Sequence, residues 1–232
     1  MNVIITGGNR GLGLAMSEAF AKKGHDLMLC ARNEATLLEV HDKLKQQSPT
    51  SRIEIHAADL TLAKDVEAFT KRCLENFVPD VLVNNAGGYV PGSCSDAKAG
   101  DMEQMMAINF YTAYHLTRAL LPSMIQKKSG HIFNICSIAS LKAYDGGGCY
   151  SVSKFALDGF SKNLRHELKD KGIKVTTVYP GATLTDSWGN FDNSSNRIMI
   201  PSDVAHMVVS ASELSPQAVV EEIVLRPQLG DL

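Results

Sequence analysis

Thr6-Gly7-Gly8-Asn9-Arg10-Gly11-Leu12-Gly13 is the stretch of sequence that decides the fold. An apolar, strand-like run precedes it and a helical pattern follows it. Gly7 and Gly11 would let the backbone approach a pyrophosphate, Gly13 would allow close packing of helix on strand, and a helix N-terminus favours an anion. The spacing is G-x-x-x-G-x-G, and it is not a Walker A loop because no Gly-Lys-Ser/Thr follows. The stretch predicts a dinucleotide-phosphate site, and the alternative is an ordinary glycine-rich turn.

Apolar runs alternate with helical patterns along the rest of the chain. The runs are continuously apolar, as expected for strands buried on both faces. The predicted strands are Asn2–Thr6, His25–Ala31, Ile53–Ala58, Asp80–Asn84, His131–Ser137, Ile173–Tyr179 and Val219–Leu225. The predicted helices are Gly11–Lys23, Glu34–Gln47, Ala63–Asn76, Asp101–Lys127, Tyr150–Lys171 and Ser202–Glu213. This alternation predicts a single α/β domain over residues 1–232: a Rossmann fold with a doubly wound, seven-stranded parallel sheet and helices on both faces.

Composition limits the partners that we expect. The chain has 232 residues, a net charge of −2 and a pI near 6.4, so we expect neither a nucleic acid nor a membrane partner. The longest apolar runs are about ten residues, too short to span a bilayer. A strand-like run already begins by Val3, so we expect no signal peptide. Five cysteines without a C-x-x-C pair argue against a disulfide scaffold or a metal site and predict a cytoplasmic protein.

The end of the second predicted strand indicates which dinucleotide binds. A site for NAD usually has an acid there, but this chain reads Cys30-Ala31-Arg32-Asn33 and has no acid before Glu34. Arg10 lies in the glycine-rich stretch itself. Arginine binds phosphate through paired, charge-assisted hydrogen bonds, so Arg10 and Arg32 predict a 2′-phosphate and hence NADP(H). The alternative is that both arginines are solvated surface charges.

Motifs at the ends of the predicted strands are similar to those of the short-chain dehydrogenase/reductases, over nearly the whole chain. Thr6–Gly13 resembles the glycine motif, Asp59-Leu60 the adenine-contacting pair, Asn84-Asn85-Ala86-Gly87 the motif that lines the cofactor, and Pro180-Gly181 the segment beside the nicotinamide. Thr183 stands where the family usually has Val or Ile, in a segment that contacts the carboxamide through its backbone. The resemblance implies these cofactor-binding residues: Gly7, Asn9, Arg10, Gly11, Leu12, Gly13, Arg32, Asp59, Leu60, Asn85, Ala86, Gly87, Tyr150, Lys154, Pro180, Gly181, Thr183 and Thr185.

Asn109, Ser137, Tyr150 and Lys154 match the catalytic tetrad of that family. Tyr150 and Lys154 are four residues apart and share one helix face. A nearby ammonium should lower the pKa of a phenol, which is ordinarily about 10, so Tyr150 is predicted to act as the general acid or base. Ser137 could hydrogen-bond the substrate carbonyl, and the resemblance implies that the Asn109 backbone holds a water linking Lys154 to solvent. The alternative for each residue is a purely structural role.

The C-terminal part of the chain refines the resemblance. Val219–Pro227 lacks the ending typical of 3-oxoacyl carrier-protein reductases, and with Trp188-Gly189 it looks more like bacterial sepiapterin-reductase-like and carbonyl-reductase-like members. Trp188 and Phe191 are predicted to lie over the substrate in a short lid formed by residues 183–200. The run Gly146-Gly147-Gly148 before Tyr150 fits either a flexible wall of the substrate pocket or a plain loop.

The function predicted from this resemblance is hydride transfer between NADP(H) and a small carbonyl or alcohol, such as a pterin side-chain ketone or a diketone. One alternative is a 3-oxoacyl carrier-protein reductase. The other is a non-catalytic NADP(H) sensor that kept the fold and lost catalysis. The resemblance also implies a homodimer or homotetramer formed through the two long helices.

Overall fold

Seven parallel strands form the frame of the molecule. The computed structural model describes residues 1–232, apart from the side chain of Asn76. The strands are β1 (Asn2–Thr6), β2 (Asp26–Ala31), β3 (Ile53–Ala57), β4 (Val81–Asn84), β5 (Gly130–Ile135), β6 (Ile173–Pro180) and β7 (Glu222–Leu225). They form one sheet in the order β3-β2-β1-β4-β5-β6-β7, and every adjacent pair is parallel. The predicted doubly wound sheet is confirmed.

Helices connect the strands and cover both faces of the sheet. They are α1 (Gly11–Lys22), α2 (Glu34–Gln47), α3 (Ala63–Asn76), α4 (Asp101–Met106), α5 (Thr112–Lys127), α6 (Gly148–Leu168) and α7 (Pro201–Ser212). Most bounds agree with the predicted ones to within two residues. No helix among the described residues is both long enough and apolar enough to cross a membrane.

The continuous apolar runs arise because the sheet has a core on each face. Val3 and Ile5 of β1 contribute to the core formed with α1, α2 and α7, whereas Ile4 contributes to the core formed with α3, α5 and α6. Successive strand residues point to opposite faces, so both sets must be apolar. Burying each such side chain stabilises the fold by roughly 1.5–3 kcal/mol.

The path of the chain through the sheet determines where a ligand can bind. The chain runs outward from β1 through β2 to β3 and then returns to β4 on the other side of β1. The connections after β1 and β4 therefore diverge and leave a crevice at the carboxyl ends of these strands. The predicted site residues near Gly7 and Asn85 follow these two strands directly.

Three predicted elements differ from the observed ones. The predicted helix Asp101–Lys127 contains a π-helical segment, Ala107–Tyr111, that separates α4 from α5. Ser137 does not end a strand: β5 stops at Ile135, and Ser137 caps a short 3₁₀ helix over Ile138–Ser140. The last strand is three residues shorter than predicted, because only Glu222–Leu225 pairs with β6.

Candidate active site

The glycine-rich loop between β1 and α1 is built for an anion. Gly7 and Gly11 have positive φ angles of 65° and 52°, which L side chains rarely adopt. A Cβ at Gly13 would lie 1.9 Å from the carbonyl oxygen of Gly7. Only glycine fits at this position, and the backbone that it approaches belongs to the loop rather than to the strand. The N-terminus of α1 has no side-chain cap and no acidic residue in its first turn. Its free N–H groups and helix dipole suit a pyrophosphate.

A polar cluster lies beside this loop, at the N-terminus of α2. Asn33 caps α2 by accepting a hydrogen bond from the backbone N–H of Thr36, and the Asn9 side chain donates to the Thr36 hydroxyl over 2.7 Å. Both predicted phosphate ligands, Arg10 and Arg32, line the same cleft. Both guanidinium groups and the N-terminus of α2 therefore border the part of the cleft where the sequence predicts the 2′-phosphate.

Asp59 and Leu60 follow β3 and border the cleft, as predicted. The carboxylate of Asp59 accepts hydrogen bonds from the backbone and the hydroxyl of Thr61, at 3.0 and 2.7 Å. These hydrogen bonds, and more weakly the charge of Arg32, hold the pKa of Asp59 below its usual value. Asp59 therefore stays ionised and keeps this edge of the cleft fixed.

Asn85, Ala86 and Gly87 carry the chain across the end of β4. The Asn85 side chain donates to the carbonyl oxygens of Thr6 and Gly7, at 2.9 and 3.1 Å. The backbone N–H groups of Asn85 and Ala86 both donate to the Thr6 hydroxyl. These four hydrogen bonds join the carboxyl ends of β1 and β4, so the floor of the crevice is rigid.

Tyr150 and Lys154 lie together on α6, as their spacing predicts. The Lys154 Nζ is 5.8 Å from the centroid of the Tyr150 ring and donates to the carbonyl oxygen of Ile135 over 2.8 Å. Ser137 lies near enough to the Tyr150 hydroxyl to lower the pKa of Tyr150, against the effect of burial. The structure therefore brings three of the four predicted catalytic side chains together at the inner end of the cleft.

The expected lowering of the pKa of Tyr150 is wrong for the protein without cofactor. Burial raises the pKa of Tyr150 to about 12 against the opposing hydrogen bond from Ser137. Burial also lowers the pKa of Lys154, because it penalises the ammonium form. The sequence shows that the two side chains share a helix face but does not show their desolvation, and desolvation dominates here.

Asn109, the fourth member of the predicted tetrad, lies in the π-helical segment and is buried. Its side chain accepts from the N–H of Gly88 at 2.9 Å and donates to the carbonyl oxygen of Gly88 at 3.0 Å. It also lies 3.0 Å from the Ser153 hydroxyl on α6. Asn109 thus connects the β4 loop with the helix that carries Tyr150, and π-helical turns of this kind are frequent at functional sites.

Most of the predicted cofactor-binding residues line one cleft of about 700 Å³. Pro180, Gly181 and Thr183 do not line it. Gly181 donates to the Leu225 carbonyl oxygen, and the Thr183 hydroxyl donates back to the Gly181 carbonyl oxygen. Nor do the side chains of Ser137 and Asn109 line it, because both lie deeper in the protein. The lining residues that sequence reasoning missed include Asn33, Thr36, Gly88, Tyr89, Ile108, Thr112, Asp186 and Ser187.

The segment over residues 183–200 is closed at its base by a parallel bridge between Thr183 and Met199. Its first part lies over the glycine-rich loop: a Cβ at Gly11 would meet the Thr185 side chain at 3.3 Å, and Asp186 forms an ion pair with Arg10 at 3.5 Å. Trp188 contacts Phe191, with 5.2 Å between the ring centroids. Asp186 was not anticipated, because the sequence does not indicate that this segment folds back onto the loop.

Comparisons with known proteins agree with this geometry. The sequence profile of the short chain dehydrogenase family matches residues 1–196. A sepiapterin reductase from Chlorobaculum tepidum is 34% identical over 239 residues, covering 99% of this chain and 97% of the relative. An uncharacterized oxidoreductase from Staphylococcus saprophyticus is 29% identical over 225 residues, covering 97% of this chain and 96% of the relative.

Solved structures share the fold over almost their whole length. Serine dehydrogenase from Escherichia coli is 28% identical and superimposes with a TM-score of 0.88, with 100% of both chains covered. L-sorbose reductase from Gluconobacter frateurii, solved with NADPH and L-sorbose, is 27% identical with a TM-score of 0.87, covering 96% of this chain and 94% of the other. The family profile, the relatives, the glycine-rich loop and the Tyr150–Lys154 pair all agree. This chain therefore belongs to the short-chain dehydrogenase/reductase family of oxidoreductases.

Proposed function

We propose that the protein is an NADP(H)-dependent reductase of small carbonyl compounds, with Tyr150 as the general acid. The observation that carries the proposal is the inner end of the cleft, where Lys154 lies beside the Tyr150 ring and Ser137 is near enough to the Tyr150 hydroxyl to act on its pKa. A buried phenol that remains protonated can deliver its proton to a developing alkoxide. The similarity to a sepiapterin reductase extends over nearly the whole chain, and it supports the reduction of a ketone as the reaction.

The residues of the cleft fit NADP(H). The uncapped N-terminus of α1 and the positive φ of Gly7 and Gly11 suit the pyrophosphate. Arg10 and Arg32 would hold the 2′-phosphate, and Lys154 would hold the ribose next to the nicotinamide. Serine dehydrogenase with NADP⁺ and L-sorbose reductase with NADPH have the same fold, which supports this choice of cofactor. We propose Pro180, Gly181 and Thr183 as the backbone segment beside the carboxamide.

The chain's own groups orient the carbonyl and move the proton. The bound cofactor supplies the hydride. The Ser137 hydroxyl donates a hydrogen bond to the carbonyl oxygen, where negative charge develops, and the Tyr150 hydroxyl transfers its proton to that oxygen. In its ammonium form, Lys154 would stabilise the phenolate left after the transfer. In the direction of alcohol oxidation, the Tyr150 phenolate accepts the proton.

Residues 183–200 are proposed to close over the bound molecules as a lid. Thr185 already contacts the glycine-rich loop, and the Arg10–Asp186 ion pair connects the two segments. Trp188 and Phe191 contact each other and do not line the cleft in this structure, but on closure they would supply an apolar surface that excludes water from the reaction. We also propose the cytoplasmic location that the cysteine usage of the sequence predicts.

The experiment that tests the function measures oxidation of NADPH and NADH against sepiapterin, a diketone, an aromatic aldehyde and an acetoacetyl thioester. We expect NADPH-dependent turnover of the pterin or the diketone. Turnover of the thioester alone would favour 3-oxoacyl reduction instead. Tight NADPH binding without turnover of any of the four compounds would favour the sensor hypothesis.

We further propose that a second copy of the chain covers the exposed apolar face of α5 and α6. Tyr111, beside the start of α5, and Val152 and Phe155 on α6 are each more than 40% exposed. Tyr114 adds ring contacts to Phe160, so the face continues between the two helices. A contiguous apolar surface on two adjacent helices is typical of a subunit interface.

Phe155→Lys should shift the protein from oligomer to monomer, because it places a charge in this interface. The measurement is light scattering after size-exclusion chromatography. Leu38→Lys on α2 is the matched control, since Leu38 is 49% exposed and lies on a different helix. A monomeric parent protein, or an unchanged mass for Phe155→Lys, would contradict the interface.

A further inference from the structure

Three tyrosine rings gather where the substrate carbonyl would bind. The ring of Tyr89, directly after the β4 loop, is 5.0 Å from that of Tyr150 and perpendicular to it. Tyr144 packs on Gly147, three residues before Tyr150, and burial and the neighbouring Tyr89 and Tyr150 raise the pKa of Tyr144. Tyr89 remains 44% exposed and Tyr144 41% exposed, which leaves much of both residues accessible to a ligand.

Asn109 fixes the position of Tyr89. Its side-chain amide accepts a hydrogen bond from the N–H of Gly88 and donates to the carbonyl oxygen of Gly88. The same amide donates to the hydroxyl of Ser153 on α6. The residue preceding Tyr89 is therefore held from two sides, against the same helix that carries Tyr150. The backbone next to Tyr89 is therefore already ordered, which lowers the entropy cost when a ligand contacts the ring.

The glycine run that precedes Tyr150 fixes Tyr144. A Cβ at Gly147 would lie 2.8 Å from the Tyr144 ring, so the ring packs directly on this glycine. A Cβ at Gly148 would lie 2.2 Å from the carbonyl oxygen of Gly92, and the Gly92 N–H donates to Gly146 at 3.2 Å. The run thus joins the two loops that carry Tyr89 and Tyr144.

The perpendicular rings of Tyr89 and Tyr150 form a corner that favours a flat ligand ring. A planar ring can stack on one wall of the corner while its edge meets the other, and both are favourable geometries for aromatic pairs. A saturated ring of the same size has neither an aromatic face nor an aromatic edge, so it gains less from both walls of the corner. The corner lies at Tyr150, so the group that it contacts must be attached to the carbonyl carbon or conjugated with it.

We propose that Tyr89, with Tyr144 beside it, forms a stacking subsite that selects carbonyl substrates carrying a planar, conjugated ring next to the reacting carbonyl. The inference rests on the proposed reductase function and names the substrate class for it. The ring of the substrate lies in the corner between Tyr89 and Tyr150, and the carbonyl oxygen points to the hydroxyl groups of Tyr150 and Ser137.

The test compares a matched pair of substrates, benzaldehyde and cyclohexanecarboxaldehyde. We expect the parent enzyme to have the higher kcat/KM for the aromatic aldehyde. Tyr89→Leu should lower that kcat/KM by about 2- to 12-fold, the range for one aromatic pair, mainly through KM. The value for the saturated aldehyde should change much less. Tyr89→Phe retains the ring and should retain the aromatic preference, which separates stacking from loss of the hydroxyl.

A second measurement separates this subsite from catalysis. Binding of acetophenone and of cyclohexyl methyl ketone to the enzyme–NADP⁺ complex is measured by calorimetry, which needs no turnover. Tighter binding of acetophenone that Tyr89→Leu weakens, with Tyr144→Leu acting in the same direction, supports the subsite. If this binding pattern holds and no carbonyl is reduced, the reductase proposal fails and the subsite stands. Equal binding of both ketones, or no effect of Tyr89→Leu, overturns the subsite.

Discussion

Tyr150→Phe should lower kcat for carbonyl reduction by about 10²–10⁴-fold, the usual contribution of a positioned general acid. The substitution removes the hydroxyl that Ser137 contacts and keeps the ring that lies perpendicular to Tyr89. The shape of the cleft is therefore preserved, and the Kd for NADPH should stay within about 2-fold of the parent value. Stopped-flow or steady-state absorbance measures the rate, and NADPH fluorescence measures the binding.

The pH profile provides an independent test of the same residue. Because burial holds the pKa of Tyr150 near 12, the phenol is protonated at every pH at which the protein is handled. Reduction uses the protonated form, so kcat for reduction should be level from about pH 6 to pH 9. Alcohol oxidation uses the phenolate, so its rate should rise with pH over the same interval.

Two outcomes would count against Tyr150 as the acid. Tyr150→Phe with near-parental turnover would mean that another group protonates the substrate. A rate of reduction that rises with pH would have the wrong sign for a proton donor. If the parent protein itself shows no turnover while Tyr150→Phe and the parent bind NADPH equally, the sensor hypothesis gains support.

The parts of the structure that the sequence predicts best are those set by local pattern. Continuous apolar strands and the glycines before α1 predict the sheet and the phosphate loop, because each signal lies within a few residues. The π-helical segment around Asn109 is missed, since the residues on both sides keep a helical period. Thr36 and Asp186 are missed as well, because their proximity to Asn9 and Arg10 depends on how distant segments fold together.

Burial explains the largest error in the predicted chemistry. Tyr150 and Lys154 are correctly placed on one helix face, but their spacing contains no information about solvent. The structure places both in the protein interior, where the charged forms of phenol and ammonium are both disfavoured. The environment of the pair therefore decides its protonation more strongly than the contact between its members.

Arg32→Asp should reverse the preference between the two cofactors. In the cleft, Arg32 lies close enough to Asp59 to contribute to the lowered pKa of that carboxyl. A charge-assisted hydrogen bond to a phosphate contributes about 1.5–3 kcal/mol. Loss of this bond and introduction of a carboxylate beside the 2′-phosphate should lower the NADPH/NADH ratio of kcat/KM by about 10²-fold or more. The kcat/KM for NADH should itself rise, because an acid at this position can accept a hydrogen bond from the ribose 2′-hydroxyl.

Lys71→Asp is the matched control for this charge change. Lys71 is an exposed residue on α3 whose partner is Glu75 on the same helix, and it does not line the cleft. The substitution alters the net charge by the same amount as Arg32→Asp, so it reports any long-range electrostatic effect on cofactor binding. The cofactor ratio should stay near the parental value in Lys71→Asp. An unchanged ratio in Arg32→Asp would assign the 2′-phosphate to Arg10 alone, whose guanidinium would then have to leave Asp186 for the phosphate when NADPH binds.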